Sequence, residues 1–193
     1  ELIIMDEPTT ALDVVVQREI LLELMRLREQ FHLSLIFITH DLSLLLEIAD
    51  TIAIMYAGRV VERTSARALH RQPLHPYSYG MLHSFPSLRG PRRTMTGIPG
   101  SPPDLRVVPA GCAFHPRCPL AFAPCARVLP ELLADPNAAA DQTMIQSADR
   151  AVACHRYDPR LAEGLPPPDG AELEAAYARA SGAAPAEGKT ADE

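Results

Sequence analysis

Two apolar runs dominate the first forty residues. Leu2-Ile3-Ile4-Met5 ends in Asp6-Glu7, and Leu33-Ser34-Leu35-Ile36-Phe37-Ile38 ends in Thr39-His40-Asp41. Short runs that stay apolar rather than alternating predict strands covered on both faces, as in a parallel sheet. Between them Val16, Ile20, Leu24 and Leu27 recur at helical spacing among Arg18, Glu19, Glu23, Arg26 and Arg28. This predicts an amphipathic helix over Val14 to Glu29, packed on the sheet. Asp41 is placed to cap a helix over Leu42 to Ala49. Thr51 to Tyr56 and Arg59 to Glu62 then read as strands around Ala57-Gly58. Leu44, Leu45, Leu46 and Met55 are expected to pack inside.

Beyond Arg63 the α/β alternation stops. Short helices are predicted over Ser65 to His70 and Pro76 to Phe85, the second opened by His75-Pro76-Tyr77, because proline suits a first helical turn. Pro86 to Pro109 is rich in proline and glycine and reads as an extended linker. After Tyr157 come Pro166-Pro167-Pro168 and an alanine-rich acidic stretch. A helix over Asp169 to Ala180 lacks a strong apolar face there, so a disordered tail is expected.

Composition narrows the class. The 193 residues are 47% hydrophobic, enough for a core, but 19 prolines and 5% aromatic content predict much irregular structure. The net charge of −6 is concentrated between Asp158 and Glu193, where eight acids face Arg160, Arg179 and Lys189. The remaining body is close to neutral and gives no case for nucleic acid. No stretch approaches the roughly 18 to 20 apolar residues of a membrane span, and no signal peptide precedes the first strand.

Two neighbouring acids at a strand tip call for a chemical task, because burying them is unfavourable without a cation or a proton to handle. Side chains alternate along a strand, so one acid can hold a metal while the other acts as a base. Phosphoryl transfer uses this division, and parallel strands would bring His40 to the same sheet edge.

Leu2 to Asp13 resembles the Walker B segment and D-loop of an ATP-binding-cassette ATPase, and Phe37-Ile38-Thr39-His40-Asp41 resembles its switch-histidine loop. The resemblance implies Asp6 on the Mg²⁺ shell of ATP, Glu7 as general base, His40 as γ-phosphate sensor, and Asp13 in the loop that crosses to a partner subunit. The chain contains no G-x-x-x-x-G-K-[ST] phosphate loop and no glycine-rich signature segment, and its only lysine is Lys189. It also begins with Glu1 directly on a core strand. The expectation is therefore the carboxyl-terminal piece of a longer protein, inactive as an ATPase by itself.

All four cysteines fall in one module: Gly111-Cys112-Ala113-Phe114-His115-Pro116-Arg117-Cys118-Pro119, then Cys125, then Cys154-His155. Clustered thiols in a cytosolic protein more often bind metal or react than pair. An iron–sulfur cluster fits the count, zinc fits it without its usual close knuckle, and disulfides or buried thiols remain open. Together with Ile98-Pro99-Gly100-Ser101-Pro102-Pro103, the block is similar to the carboxyl-terminal extension of oligopeptide and dipeptide importer ATPases, in which a [4Fe–4S] centre has been proposed on such cysteines. That resemblance implies Cys112, Cys118, Cys125 and Cys154 as ligands, with Zn²⁺ the alternative. His115 and His155 are expected beside the ligands or at the surface, and Arg117 as a structural or charge-balancing group.

The expected architecture is α/β: the carboxyl-terminal half of a cassette ATPase over residues 1–70, a helix and linker over 71–110, an irregular cysteine-containing extension over 111–157, and an acidic tail over 158–193. The family implies a peptide-uptake ATPase subunit on the cytoplasmic face of the membrane. Its partners would be a second ATPase subunit, membrane permease subunits and, indirectly, an extracytoplasmic solute-binding protein. The rivals are a cassette ATPase serving repair or translation, and a metal-binding module without ATPase activity.

Overall fold

The computed structural model describes residues 1–10, 12–84, 97–136 and 150–182. They fall into two units, Glu1–Ala49 and Asp50–Glu193.

In the first unit β1 (Leu2–Asp6) and β2 (Ser34–Ile38) pair in parallel, with Leu2 opposite Ser34 and Asp6 opposite Ile38. Parallel strands need a crossover, and α1 (Val14–Phe31) supplies it. The Asp13 carboxylate starts α1 by accepting from the amides of Val15 and Val16 at 3.0 and 3.1 Å. His32, in the left-handed conformation with φ 49°, ends it. Asp41 likewise caps α2 (Leu42–Ile48) through the amides of Ser43 and Leu44.

The expected helix-on-sheet core is built only in part. Leu21, Leu42 and Leu44 are buried, but Leu2, Ile4, Ile36 and Ile38 are exposed, Ile4 at 63%. Val16, Ile20 and Leu27 of the predicted α1 face are exposed as well. Two strands and two helices have too little surface to cover both faces of a parallel sheet.

The second unit is organised by an antiparallel sheet of order β3-β4-β6-β5. β3 (Thr51–Tyr56) and β4 (Arg59–Ser65) form a hairpin whose turn residues, Ala57 and Gly58, both have positive φ (47° and 77°). That conformation matches the right-handed twist of the strands. Ile52, Ile54 and Tyr56 point inward, so Met55 points outward at 58% exposure, contrary to the expected packing. β4 runs past the predicted end at Glu62 because Arg63, Thr64 and Ser65 pair with Ala53, Ile52 and Thr51 of β3, while Glu62 and Arg63 also pair with Val152 and Ala151 of β6 (Ala151–Val152). β6 in turn pairs with β5 (Leu133–Ala134).

Three helices pack with this sheet's unit: α3 (Ala66–Arg71), α4 (Pro76–His83) and α5 (Gly170–Ala180). His75 caps α4 through its Nδ1, which accepts from the Tyr77 amide at 3.0 Å. Glu62 is fully buried, and its two carboxylate oxygens accept from the amides of Leu74 and His75 at 2.9 and 2.8 Å. Phe85 and residues 86–96 of the expected helix end and linker lie outside the described residues.

The expected disordered tail is corrected over residues 158–182. Asp169 caps α5 by accepting from the Glu172 amide at 2.7 Å, and Leu173, Ala176 and Tyr177 are buried. Leu173 and Tyr177 pack with Tyr79, Ile98 and Leu120, and the Tyr177 hydroxyl donates to the Pro76 carbonyl at 2.8 Å. A short apolar stripe suffices because it meets an aromatic partner face. Among the described residues no helix is long and apolar enough to cross a membrane.

Candidate functional site

The first unit carries a compact polar group at the carboxyl ends of its strands. Asp6 is the last residue of β1, and its carboxylate is exposed without a hydrogen bond or ion pair among the described residues. Glu7 follows with φ 47°, unusual for a non-glycine residue, while its amide extends the ladder by donating to Ile38 at 2.9 Å. Its Oε1 lies 2.8 Å from His40 Nδ1, and its Oε2 accepts from the Thr10 hydroxyl at 3.2 Å. The hydrogen bond from His40 holds the Glu7 carboxyl below its ordinary pKa, and the same contact raises that of His40. Thr10 is the residue that sequence reasoning passed over; it stands one turn beyond Glu7, inside the Leu2 to Asp13 segment. Asp13 is occupied with capping α1.

The second unit brings all four cysteines to one cavity, lined also by His75, Phe114, Phe122 and His155. Gly111 makes the first approach possible: its φ is +69°, and a Cβ there would meet the Cys125 carbonyl at 2.5 Å. The Cys112 amide donates to that carbonyl at 2.8 Å. Short 3-10 turns at His115–Arg117, Ala123–Ala126 and His155–Tyr157 present the other thiols. No cysteine is paired.

Burial raises every one of the four thiol pKa values, that of Cys154 to about 12, so all are held as neutral thiols. Cys112, Cys118 and Cys154 also raise their own values through nearby cysteines. Among the described residues, however, no group of three or more His, Cys, Asp or Glu side chains is arranged to hold a metal ion. The expected ligand set is therefore gathered in one cavity without being preformed, because neutral sulfurs pack as small apolar groups.

Arg117 is structural: its guanidinium donates to the carbonyls of Pro99 and Gly100 and to the Tyr56 hydroxyl. His115 Nδ1 contacts the Cys112 carbonyl at 2.9 Å. His155 is 1% exposed, against the alternative of a surface position.

Residues 61–125 match the family described as the oligopeptide/dipeptide transporter, C-terminal region. Those residues carry that family's C-terminal region. It is 48% identical over 130 residues to the oligopeptide transport ATP-binding protein OppD of Escherichia coli, covering 67% of this chain and 39% of the relative. It is 37% identical over 164 residues to the dipeptide transport ATP-binding protein DppD of Caldanaerobacter subterraneus, covering 85% and 46%. With AppD of Bacillus subtilis the identity is 41% over 164 residues, covering 84% and 46%. The chain thus spans less than half the length of these family members. The family match includes Cys112, Cys118 and Cys125, whereas the Glu7–His40 pair and Cys154 lie outside it.

Proposed function

We propose that this chain carries the hydrolytic half of the ATP site in a peptide-uptake transporter subunit. The observation that carries the reading is the Glu7–His40 contact at the ends of two parallel strands, beside the unengaged Asp6 carboxylate. The donor set suits a magnesium nucleotide: a free hard-oxygen ligand, a carboxylate kept anionic, and an imidazole. Bound there, magnesium ATP would supply the phosphoanhydride to be cleaved and the charge that neutralises it. Asp6 would sit on the metal shell, Glu7 would orient and deprotonate the attacking water, and His40 would donate to the γ-phosphate. Since His40 holds Glu7 by hydrogen bond, a phosphate that engages His40 would release the Glu7 oxygen as a base.

The segment from Pro8 to Asp13 is proposed as the face offered to a second ATPase subunit. Membrane permease subunits would receive the motion at the cytoplasmic surface, with an extracytoplasmic binding protein delivering solute. The division into residues 1–70, 71–110, 111–157 and 158–193 is kept as the proposed functional layout. The match of residues 61–125 to the transporter family favours this reading over a repair or translation ATPase. In the second unit, the four thiols would hold a [4Fe–4S] centre, with zinc as runner-up. Convergence of the thiols on one cavity supports that fit.

The phosphate loop is not in this sequence, so the isolated chain should release no phosphate from ATP. Turnover by the purified chain that Glu7→Gln abolishes would refute this. In an assembled importer, Glu7→Gln should leave ATP bound and stop peptide uptake; unimpaired uptake would remove Glu7 from the role of base.

A further inference from the structure

A second cavity, of about 380 Å³, lies in the second unit and shares Cys112 and Phe114 with the thiol cavity. Small-ligand sites of about 300–1,000 Å³ are mostly apolar and carry a few placed polar groups. The lining here follows that pattern. β4 supplies Arg59, Val60 and Val61, and the segment leading to β5 supplies Leu129 to Leu132. The aromatic part is fixed: Tyr56 is buried, meets Phe114 edge-on at 5.2 Å and Tyr77 at 4.7 Å, and its hydroxyl accepts from Arg117 at 3.3 Å. Leu129 and Leu132, by contrast, are 45% and 44% exposed, so part of the apolar lining has no cover.

Two charged side chains line the same cavity, one from each of these segments. Arg59 is exposed and has no hydrogen bond or ion pair among the described residues. Glu131 accepts from Arg160 at 3.2 Å through Oε2 alone, and its side chain is 67% exposed. We infer that this cavity binds a short zwitterionic peptide with apolar side chains. Arg59 takes the terminal carboxylate, for which its planar fork is suited. Glu131 takes the terminal ammonium, and the peptide's apolar side chains cover Val60, Leu129 and Leu132. Burial of that surface drives binding, while the two charges select the class of ligand. Charge complementarity favours this occupant, since a fatty acid would offer Glu131 nothing. The cavity lies within the second unit and uses no metal, so the inference is independent of both the Glu7–His40 site and the thiol centre.

The test titrates the full 193-residue chain with leucyl-leucine, N-acetyl-leucyl-leucine, leucyl-leucinamide and octanoate, following the NMR methyl shifts of Val60 and Leu132. Leucyl-leucine should bind, and loss of either terminal charge should weaken it about fivefold, the scale of an exposed ion pair. Arg59→Gln should erase the preference over the amide, and Glu131→Gln the preference over the acetylated peptide. Leu129→Asp, at an exposed position, should abolish binding with an unchanged far-UV circular dichroism spectrum. No shift with leucyl-leucine would overturn the site. Octanoate bound as tightly as leucyl-leucine would overturn the zwitterion in favour of a fatty acid. Preferences for the free termini that survive both charge substitutions would overturn the assignment to this cavity.

Discussion

Replacing a glycine inside a helix by alanine ordinarily stabilises it by about 1 kcal/mol. Gly80 of α4 should do the opposite. A Cβ at this position would stand 2.5 Å from the Tyr177 hydroxyl, 2.8 Å from its ring and 2.7 Å from Ile98 Cγ1. The tyrosine cannot swing away cheaply, because it is fully buried, stacked on Tyr79 at 5.6 Å and hydrogen-bonded to the Pro76 carbonyl. Overpacking costs about 1–3 kcal/mol, and a displaced hydroxyl forfeits about 1 kcal/mol more. Against the propensity gain, Gly80→Ala should lose about 1–3 kcal/mol, measured as a lower urea midpoint by circular dichroism. Tyr177→Phe removes the nearest clashing atom, so its cost should shrink in the Gly80→Ala background, giving a measurable coupling in the double-mutant cycle. A stabilised Gly80→Ala, or two strictly additive changes, would refute the close packing of α5 on α4.

Two further outcomes follow from the ionisable groups. His40 should titrate by NMR above its ordinary value of 6.5 and return toward it in Glu7→Gln. The raised His40 value makes its contribution complete below 6.5 and lost as pH rises through the folded value; the lowered Glu7 value makes its contribution complete above 4.5 and lost as pH falls through the folded value. The pair is therefore fully formed between the two ordinary values, and a His40 titration unchanged by Glu7→Gln would refute the contact. Burial raises the Glu62 pKa, so stability should be full below about 4.5 and decline as pH rises through the folded value. Glu62→Gln should remove that slope while costing about 1–3 kcal/mol, since an amide NH₂ would face the amide of Leu74 or His75. An unchanged pH slope of the urea midpoint would refute it.

What could be seen in the sequence depended on how local each cause was. The strand tips at Asp6 and His40, the caps at Asp13 and Asp41 and the Ala57-Gly58 turn all act within a few residues of their signal. The pairing of β4 with β6 depends on Ala151 and Val152, about ninety positions away, and nothing near Glu62 announces them. α5 did leave a trace: Asp169 and Glu172 stand at capping-box spacing, and Leu173 and Tyr177 at i and i+4. Its alanine-rich turns hide that stripe from any average over the helix, and only the aromatic face of Tyr79 makes it worth burying. The cysteines were legible as a set, but the burial of His155 was not, because the Phe122 edge that encloses it arrives from a separate turn.

The two candidate sites differ in how complete they are, and exposure decides it. The Glu7 side chain is 38% exposed and that of His40 84%, so water screens their interaction. A carboxylate in that setting cannot concentrate its charge on a reacting phosphate, since catalytic electrostatics need a dry and preorganised surround. The apolar strand residues beside it, Leu2, Ile4, Ile36 and Ile38, are open to solvent too. The same deficit of covering surface thus leaves both the sheet and the acids wet. Further protein packed on the sheet would dry the site as it buried the strands, so stability and hydrolysis should be acquired together. The thiol cavity has no such dependence, because Phe114, Phe122 and α4 already enclose it. The proposed thiol centre therefore predicts metal uptake by this chain without ATP turnover, measured as bound iron, and a chain that binds none would refute it.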